Sequence, residues 1–522
     1  MDKPRVAIVG AGISGLVSLK ECLAEGLEAV IFDDANQIGG GWVYDPDASS
    51  GRSSIYSGCM LNSCRDATAF SDFPLDPSRY PDFFRHELFR RYIEEYAEHF
   101  ALAKHIRLRT KVLECLPLGD GTWKVRVQEQ GGEVEEHTYT AVIAATGHLS
   151  RPKTPGFPGK DTFEGVFLHS HYYRSPGRFE GKRVVIIGLG ASTLDIACEV
   201  GPQAKELRVI ARRGAWVLPR FVLGKPLEAW DNRATQLWVP SGIAQWAQKQ
   251  LLHFVDGKPP KELMPDHNIM SQNAAVRGDF LEKVRSGLVK IERAGVERIT
   301  PTGIVCTNGT TFEDVDVIIS ATGYDHYDLP FLPADVARSE STPPHLVDLY
   351  KIIQPPKYRN LFLHGWAEPI GSLPPTAEAQ ARYTAGVLSG RVKVPSEEKM
   401  YAEIRADQKK HAEHYIHSER HASSVHFADY IDDLLRPLGA VPTFPKMLWR
   451  VFSTGHPWRS WKVLSAVWFG MPITAAWRVC GHGADPALAE EALLRVNSSN
   501  KDLTPREKEV LPERRGKVPA NV

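Results

Sequence analysis

Two glycine-rich turns, each set between an apolar β-branched run and a helical pattern, constrain this chain most. The first reads RVAIVGAGISG, with Gly10, Gly12 and Gly15, and the next strand-like run, EAVIFD, ends in Asp33. The second reads RVVIIGLGAST, with Gly188 and Gly190, and its following run, ELRVIARR, ends in Arg212 and Arg213. In such a fingerprint the first glycine permits a tight turn and the second lets the backbone approach a pyrophosphate. The third lets helix and strand pack closely, and the helix N-terminus faces the phosphates. An acid after the next strand accepts hydrogen bonds from ribose hydroxyls, whereas arginines there suit a 2′-phosphate. The first turn, through Gly10, Gly12, Ile13, Ser14, Gly15 and Asp33, is predicted to hold FAD. The second, through Gly188, Gly190, Thr193, Arg212 and Arg213, is predicted to hold NADPH. Thr193 stands where a third glycine is usual, so a side chain must fit between helix and strand there.

At 522 residues there is room for two or three domains. A hydrophobic content of 43% with 24% charged residues suits a globular protein with a large core. Formal net charge is zero, so no nucleic-acid partner is expected. Seven cysteines lie scattered without metal-type spacing, which predicts reduced thiols, no metal site and a cytoplasmic setting. The first strand begins at Arg5, directly after MDKP, which leaves no room for a signal peptide. The most apolar run, Val463 to Trp477, is shorter than the ~20 residues of a spanning helix and is interrupted by Pro472.

Strands alternating with helices predict an α/β fold with parallel sheets, built as two Rossmann-like nucleotide-binding domains. Residues 1–160 form the first part of an FAD domain, ending in a strand and Ala145-Thr146-Gly147. Residues 161–330 form an NADP domain with the similar ending Ala321-Thr322-Gly323. A helical insertion over about 223–279 carries Trp230, Trp238 and Trp246. Residues 331–497 return to the FAD domain and add a C-terminal helical region. The polar stretch 498–522 is predicted to be disordered.

The segment FEGVFLHSHYY places Phe163, Gly165, His169 and Tyr173 in an F-x-G-x-x-x-H-x-x-x-Y arrangement. With it come GGGW (Gly39 to Trp42), LNSCRDATAFSDFP (Leu61 to Pro74), RRGAWVLPR (Arg212 to Arg220), SATGY, LYK, PTAEAQARY and the late WFGMPITAAWRVCGHG. In these motifs, taken in order, the chain resembles the flavin-containing monooxygenases over nearly its whole length, the animal-type N- and S-oxygenating members included. The related Baeyer–Villiger monooxygenases end the motif in Trp followed by Pro or Asp; here it ends Tyr173-Arg174.

The resemblance implies an NADPH- and O2-dependent enzyme, of the N,N-dimethylaniline monooxygenase type. NADPH reduces FAD, O2 adds to the reduced flavin, and a C4a-hydroperoxyflavin gives one oxygen atom to a nucleophilic nitrogen or sulfur of a small molecule. It adds Gly41, Trp42, Asn62 and Ser63 to the FAD contacts, and Leu61, Asn62, Ser192 and Asp195 to the NADP contacts. Asn62 matches the asparagine expected beside the flavin and nicotinamide, and is the candidate catalytic residue. A neutral amide can donate to a peroxide oxygen without readily releasing a proton. The competing assignment for Asn62 is a turn or helix cap, and that for Asp195 a first-turn acid favoured by the helix dipole. His169 and Tyr173 fit a packing or hinge role as well as ligand contact.

Two other activities fit parts of the chain. Ketone oxygenation of the Baeyer–Villiger type shares the cofactors. A flavoprotein disulfide reductase would use Cys59 and Cys64, but Asn62 lies between them and they come well after Gly41. Near the C-terminus, Trp449, Arg450, Trp458, Arg459, Trp461, Lys462 and Trp468 mix amphipathic rings with cations. That mixture predicts peripheral contact with a membrane surface, at its cytosolic face, without spanning it. No feature sets the oligomeric state or the individual substrate.

Overall fold

The computed structural model describes residues 3–496, apart from 273, 326–328, 339–341, 344 and 417. The predicted disordered stretch, 498–522, lies outside them. The first glycine turn belongs to a five-stranded sheet in the spatial order Leu361–Leu363, Ala141–Ala144, Arg5–Val9, Glu28–Phe32, Ile106–Arg107. All its pairings are parallel. Such a sheet is covered on both faces, so its strands read as unbroken apolar runs; Val6, Ala7 and Ile8 are fully buried. Val9 lies opposite both Phe32 and Ala144, which brings Gly10, Asp33 and Ala145 together at the carboxyl ends of three strands.

The second turn belongs to another parallel sheet, ordered Lys290–Glu292, Glu206–Ile210, Arg183–Ile187, Val317–Ser320, Val166–His169. Its central register sets Ile187 against Ile210 and Ser320. Strand Leu361–Leu363 lies in the first sheet although it follows the whole second sheet in sequence. The first unit is thus interrupted by the second, in an α/β fold.

Helices Arg233–Trp238 and Ser241–Asp256 arise within the predicted insertion. The insertion is not confined to the second unit. Ala234 joins the core of the first, as does Phe221 just before the insertion, edge-on to Phe83 at 5.0 Å. Helix Leu373–Leu388 packs along the glycine-turn helix Ile13–Ala24. The C-terminal helices Phe444–Ser453, Pro457–Phe469 and Pro486–Val496 close over the same core and bury Trp468 and Trp477.

An ionic network anchors the glycine-turn helix from its far end. Arg478 donates to Glu21 at 2.8 Å, Glu378 at 2.9 Å and Ser71 Oγ at 2.6 Å. Lys20 pairs with Glu21 at 2.7 Å and with Asp72. Burial alone would push the Glu21 carboxyl up, but Lys20 and Arg478 bring it down to about 2. The cluster Glu21, Asp72 and Glu378 is the one carboxylate group among the described residues close enough to share a metal ion. Lys20 and Arg478 already supply its positive charge.

Candidate active site

At the first turn Gly10 has φ +110°, and a Cβ there would stand 2.5 Å from the Ala145 carbonyl oxygen. A Cβ on Gly15 would stand 1.9 Å from Gly10 O. Both positions therefore exclude any side chain. Gly39 N donates to Ala11 O at 3.0 Å, which lays the Gly39–Gly41 turn against Gly12. The result is a bare backbone cradle of the kind a pyrophosphate needs. Ile13 and Ser14 open the helix above it, Ile13 buried and Ser14 half-buried. Gly365 comes so close to Ser14 Oγ that a Cβ would stand 2.4 Å away, a contact that sequence reasoning missed. Half-buried Trp42 meets Phe89 edge-on at 4.6 Å.

Asp33, directly after its strand, is half-buried. One carboxylate oxygen accepts from Ala11 N at 2.6 Å and the other from Ala35 N at 2.8 Å. Burial raises its pKa, and these two amides oppose the rise. Each oxygen retains acceptor capacity for ribose hydroxyls.

The second turn repeats the plan. Gly188 has φ +113°, and a Cβ would stand 2.4 Å from Ala321 O. Thr193 is fully buried and its hydroxyl donates to Gly188 O at 3.1 Å. The side chain fits because its polar atom finds a partner in the turn itself. Ser192 is half-buried in the first turn of helix Ala191–Val200. Arg212 and Arg213 are exposed, and neither has a carboxylate partner among the described residues. Arg420, from the returning first unit, stands over Gly190: a Cβ on that glycine would lie 3.2 Å from a guanidinium nitrogen.

Asp195 is buried and engaged by protein groups. Tyr56 OH donates to one oxygen, and Arg277 reaches the other at 3.1 Å. It joins the two units in this arrangement. The F-x-G-x-x-x-H-x-x-x-Y motif lies at the same boundary. Tyr173 OH donates to Glu199 at 2.6 Å, and its ring packs on Tyr56 at 5.5 Å. His169 Nδ1 accepts from His171 N at 3.1 Å, and burial pushes the His169 imidazole down to about 4. Arg174 donates to the carbonyls of Asp45 and Ser53 at 2.6 and 2.8 Å. The Tyr173–Tyr56 and Arg174 contacts pack the two units together, while the Tyr173–Glu199 and His169–His171 bonds lie within the second.

Asn62 is exposed in a segment held at both ends. Leu61 N donates to Phe84 O at 3.1 Å. Arg220, itself buried, makes two long contacts of 3.4 Å, to Leu61 O and to Asn62 Oδ1. Ser63 Oγ meets Thr68 Oγ1 at 2.7 Å and Ser372 Oγ at 3.2 Å. Cys64 N donates to Glu228 Oε1 at 2.9 Å. With Oδ1 accepting from Arg220, the Nδ2 donors of Asn62 have no partner among the described residues. Arg220, Glu228, Ser372 and Arg420 were not assigned roles from sequence. Arg220 lay inside the matching run RRGAWVLPR; Glu228 had no signal, because it lies in the insertion.

Cys59 and Cys64 are both free thiols. Burial pushes Cys59 up to about 12 and raises Cys64 as well. That environment opposes the thiolate a disulfide exchange requires.

Comparison with known proteins agrees with this geometry. Residues 3–515 match the model of the family described as flavin-binding monooxygenase-like. Flavin-containing monooxygenase 5 of Homo sapiens is 34% identical over 456 residues, covering 85% of this chain and 84% of the relative. Dimethylaniline monooxygenase [N-oxide-forming] 2 of Rattus norvegicus is 33% identical over 461 residues, with the same coverage. Among solved structures, S-allyl-L-cysteine S-oxygenase from Allium sativum superposes with a TM-score of 0.63 at 24% identity, covering 95% of this chain and 99% of its own. Cyclohexanone monooxygenase in a caprolactone-bound form gives 0.61 at 17% identity, covering 83% and 97%. Two glycine cradles, with an acid at one and exposed arginines at the other, fit FAD and NADPH. The chain belongs to the flavin-binding monooxygenase-like family and is an FAD- and NADPH-dependent monooxygenase.

Proposed function

We propose that this enzyme transfers one oxygen atom from O2 to a soft nucleophilic nitrogen or sulfur of a small molecule. Bound FAD and NADPH would supply the redox and oxygen-transfer chemistry. The protein orients both cofactors, excludes water and holds a hydrogen-bond donor at the reacting position. Asn62 carries the proposal: Arg220 approaches its Oδ1, which leaves Nδ2 a donor uncommitted among the described residues. An amide donates without giving up a proton, so it supports an oxygen-centred group while slowing loss of hydrogen peroxide. Gly10, Gly12, Ile13, Ser14, Gly15, Asp33, Gly41, Trp42 and Ser63 are assigned to FAD on this basis. Leu61, Gly188, Gly190, Ser192, Thr193, Arg212 and Arg213 are assigned to NADP, and Asp195 acts on it from behind the turn.

The test is NADPH consumption by the FAD-loaded enzyme with a tertiary amine or thioether, with products identified by mass spectrometry. Formation of the N-oxide or S-oxide in proportion to NADPH is expected. Esters formed from ketones, with no oxide from either nucleophile, would move the reading to Baeyer–Villiger oxygenation. Asn62→Ala is expected to reduce flavin normally while hydrogen peroxide rises as product falls.

A second reading concerns location, and an exposed aromatic surface favours it. Trp449 is 73% exposed, Phe452 76% and Trp458 80%, on two adjoining C-terminal helices. Trp238 of the insertion, itself exposed, stacks on buried Trp468 at 5.1 Å. Such rings favour a headgroup boundary. Two of the cations expected to assist are committed elsewhere, since Arg450 and Arg459 both pair with Glu490. Attachment therefore rests on the rings more than on charge. No helix among the described residues is long and apolar enough to cross a membrane. Co-sedimentation with liposomes should persist in high salt; protein left in the supernatant at low salt would remove the reading.

A further inference from the structure

Glu228 belongs to the insertion of the second unit, yet its carboxyl is buried against the first. Oε1 accepts the Cys64 N–H at 2.9 Å, and Oε2 is buried without a hydrogen-bond partner among the described residues. A buried acceptor left unsatisfied is retained against a desolvation cost. Burial raises the pKa of this carboxyl accordingly. The partner it takes from the first unit is the amide two residues beyond Asn62. Arg220, from the same stretch of chain, grips the other end of that segment through Leu61 O and Asn62 Oδ1. Between them the two residues clasp Leu61–Cys64 from a separate part of the fold. Trp230 Nε1 donates to Val222 O at 3.0 Å, and this closes the loop that carries Glu228 back on itself.

We infer that Glu228 is a positioning residue for Asn62, holding the Leu61–Cys64 backbone through Cys64 N–H so that the Asn62 amide meets the reacting site in one orientation. The inference rests on the reading of Asn62 given above. It makes the insertion a working part of the oxygen-transfer site. Arg220 sets which atom of Asn62 is free, and Glu228 fixes where the backbone beneath it lies. The insertion thereby reaches the same four residues that the flavin unit presents.

The test uses the full-length, FAD-loaded protein and two variants of similar volume. Glu228→Gln keeps an acceptor for Cys64 N–H; Glu228→Met fills the space without one. In the Met variant the hydrogen peroxide formed per NADPH should rise about fivefold, the value of one lost hydrogen bond. Its anaerobic flavin reduction should stay near the parent rate. Amide exchange over residues 61–64 should quicken, a readout independent of turnover. The Gln variant should restore parental coupling and exchange. Loss of FAD, or slowed flavin reduction in step with the leak, would overturn the inference, because Glu228 would then be structural. Parental coupling in the Met variant would also overturn it. Asn62→Ala in the same assay separates the two ideas. If Asn62→Ala leaks and Glu228→Met does not, only the clasp is wrong. If Asn62→Ala couples normally, the Asn62 reading fails, and the exchange rate alone decides whether Glu228 holds the segment.

Discussion

The two dinucleotide turns are copies of one plan that diverge at the third position and at the end of the next strand. In the first, a side chain at Gly15 would collide with Gly10 O. In the second, Thr193 is fully buried in the equivalent place and bonds back to Gly188 O. The third glycine is therefore a demand of helix–strand spacing, not of the ligand, and a hydroxyl that finds the turn carbonyl can replace it. The strand ends differ in preparation as well. Asp33 is held by two backbone amides before any ribose arrives. Arg212 and Arg213 stand exposed without carboxylate partners among the described residues, and Arg420 reaches over the turn from the other unit. One site is preformed by its own backbone; the other presents cations to whatever binds.

The far anchor of the first helix offers the largest test. Arg478→Ala should destabilise the fold by about 3–5 kcal/mol, because it leaves buried Glu21 and Glu378 short of charge. Thermal unfolding and release of FAD should move together. The same network predicts acid sensitivity. The Glu21 carboxyl is lowered by folding, so its contribution is complete above its ordinary value of 4.5 and is lost as pH falls toward about 2. Unfolding midpoints across that range should fall more steeply for the parent than for Glu21→Gln.

Gly15→Ala should cost about 3 kcal/mol, at the upper end of overpacking, and abolish the flavin absorbance of the purified protein. Retention of FAD by this variant would end the argument that spacing alone explains the difference between the turns.

The cations can be separated from one another by binding measurements. Arg212→Ala should weaken NADPH by about 2 kcal/mol, in the range of a charged hydrogen bond, and leave NADH unchanged. Arg420→Ala should weaken both by a similar, smaller factor, since the pyrophosphate near Gly190 is common to the two. A loss confined to NADPH would place Arg420 at the 2′-phosphate instead.

Thr193→Gly carries the smallest expected effect, about 1 kcal/mol of stability from one lost hydrogen bond and added chain entropy. NADPH affinity should hardly change. A large loss of affinity would mean that the hydroxyl serves the ligand.

The segments most legible in the sequence were those whose chemistry is local. Each glycine turn follows its own strand directly, and the acid or arginine pair falls at the end of the next one, so the spacing alone marks them. The parallel α/β class followed from apolar runs alternating with helical patterns. The C-terminal tryptophans were harder, because an aromatic run reads alike whether it is buried or exposed. Trp468 and Trp477 lie in the core, while Trp449 and Trp458 face outward. Asp195 shows a similar limit: its place in the helix suggested a ligand contact, and packing brought Tyr56 and Arg277 to it first.

The sequence by itself determined the two cradles, the charge each offers and the family, because short-range backbone geometry and residue identity suffice for these. Only the tertiary structure decided how Asn62 is held. Its partner Arg220 lies 158 residues away, and Glu228 lies 164 residues from Cys64. Contacts over such separations come from how the insertion of one unit packs on the core of the other, and burial selects that packing through many side chains at once, which no local pattern encodes.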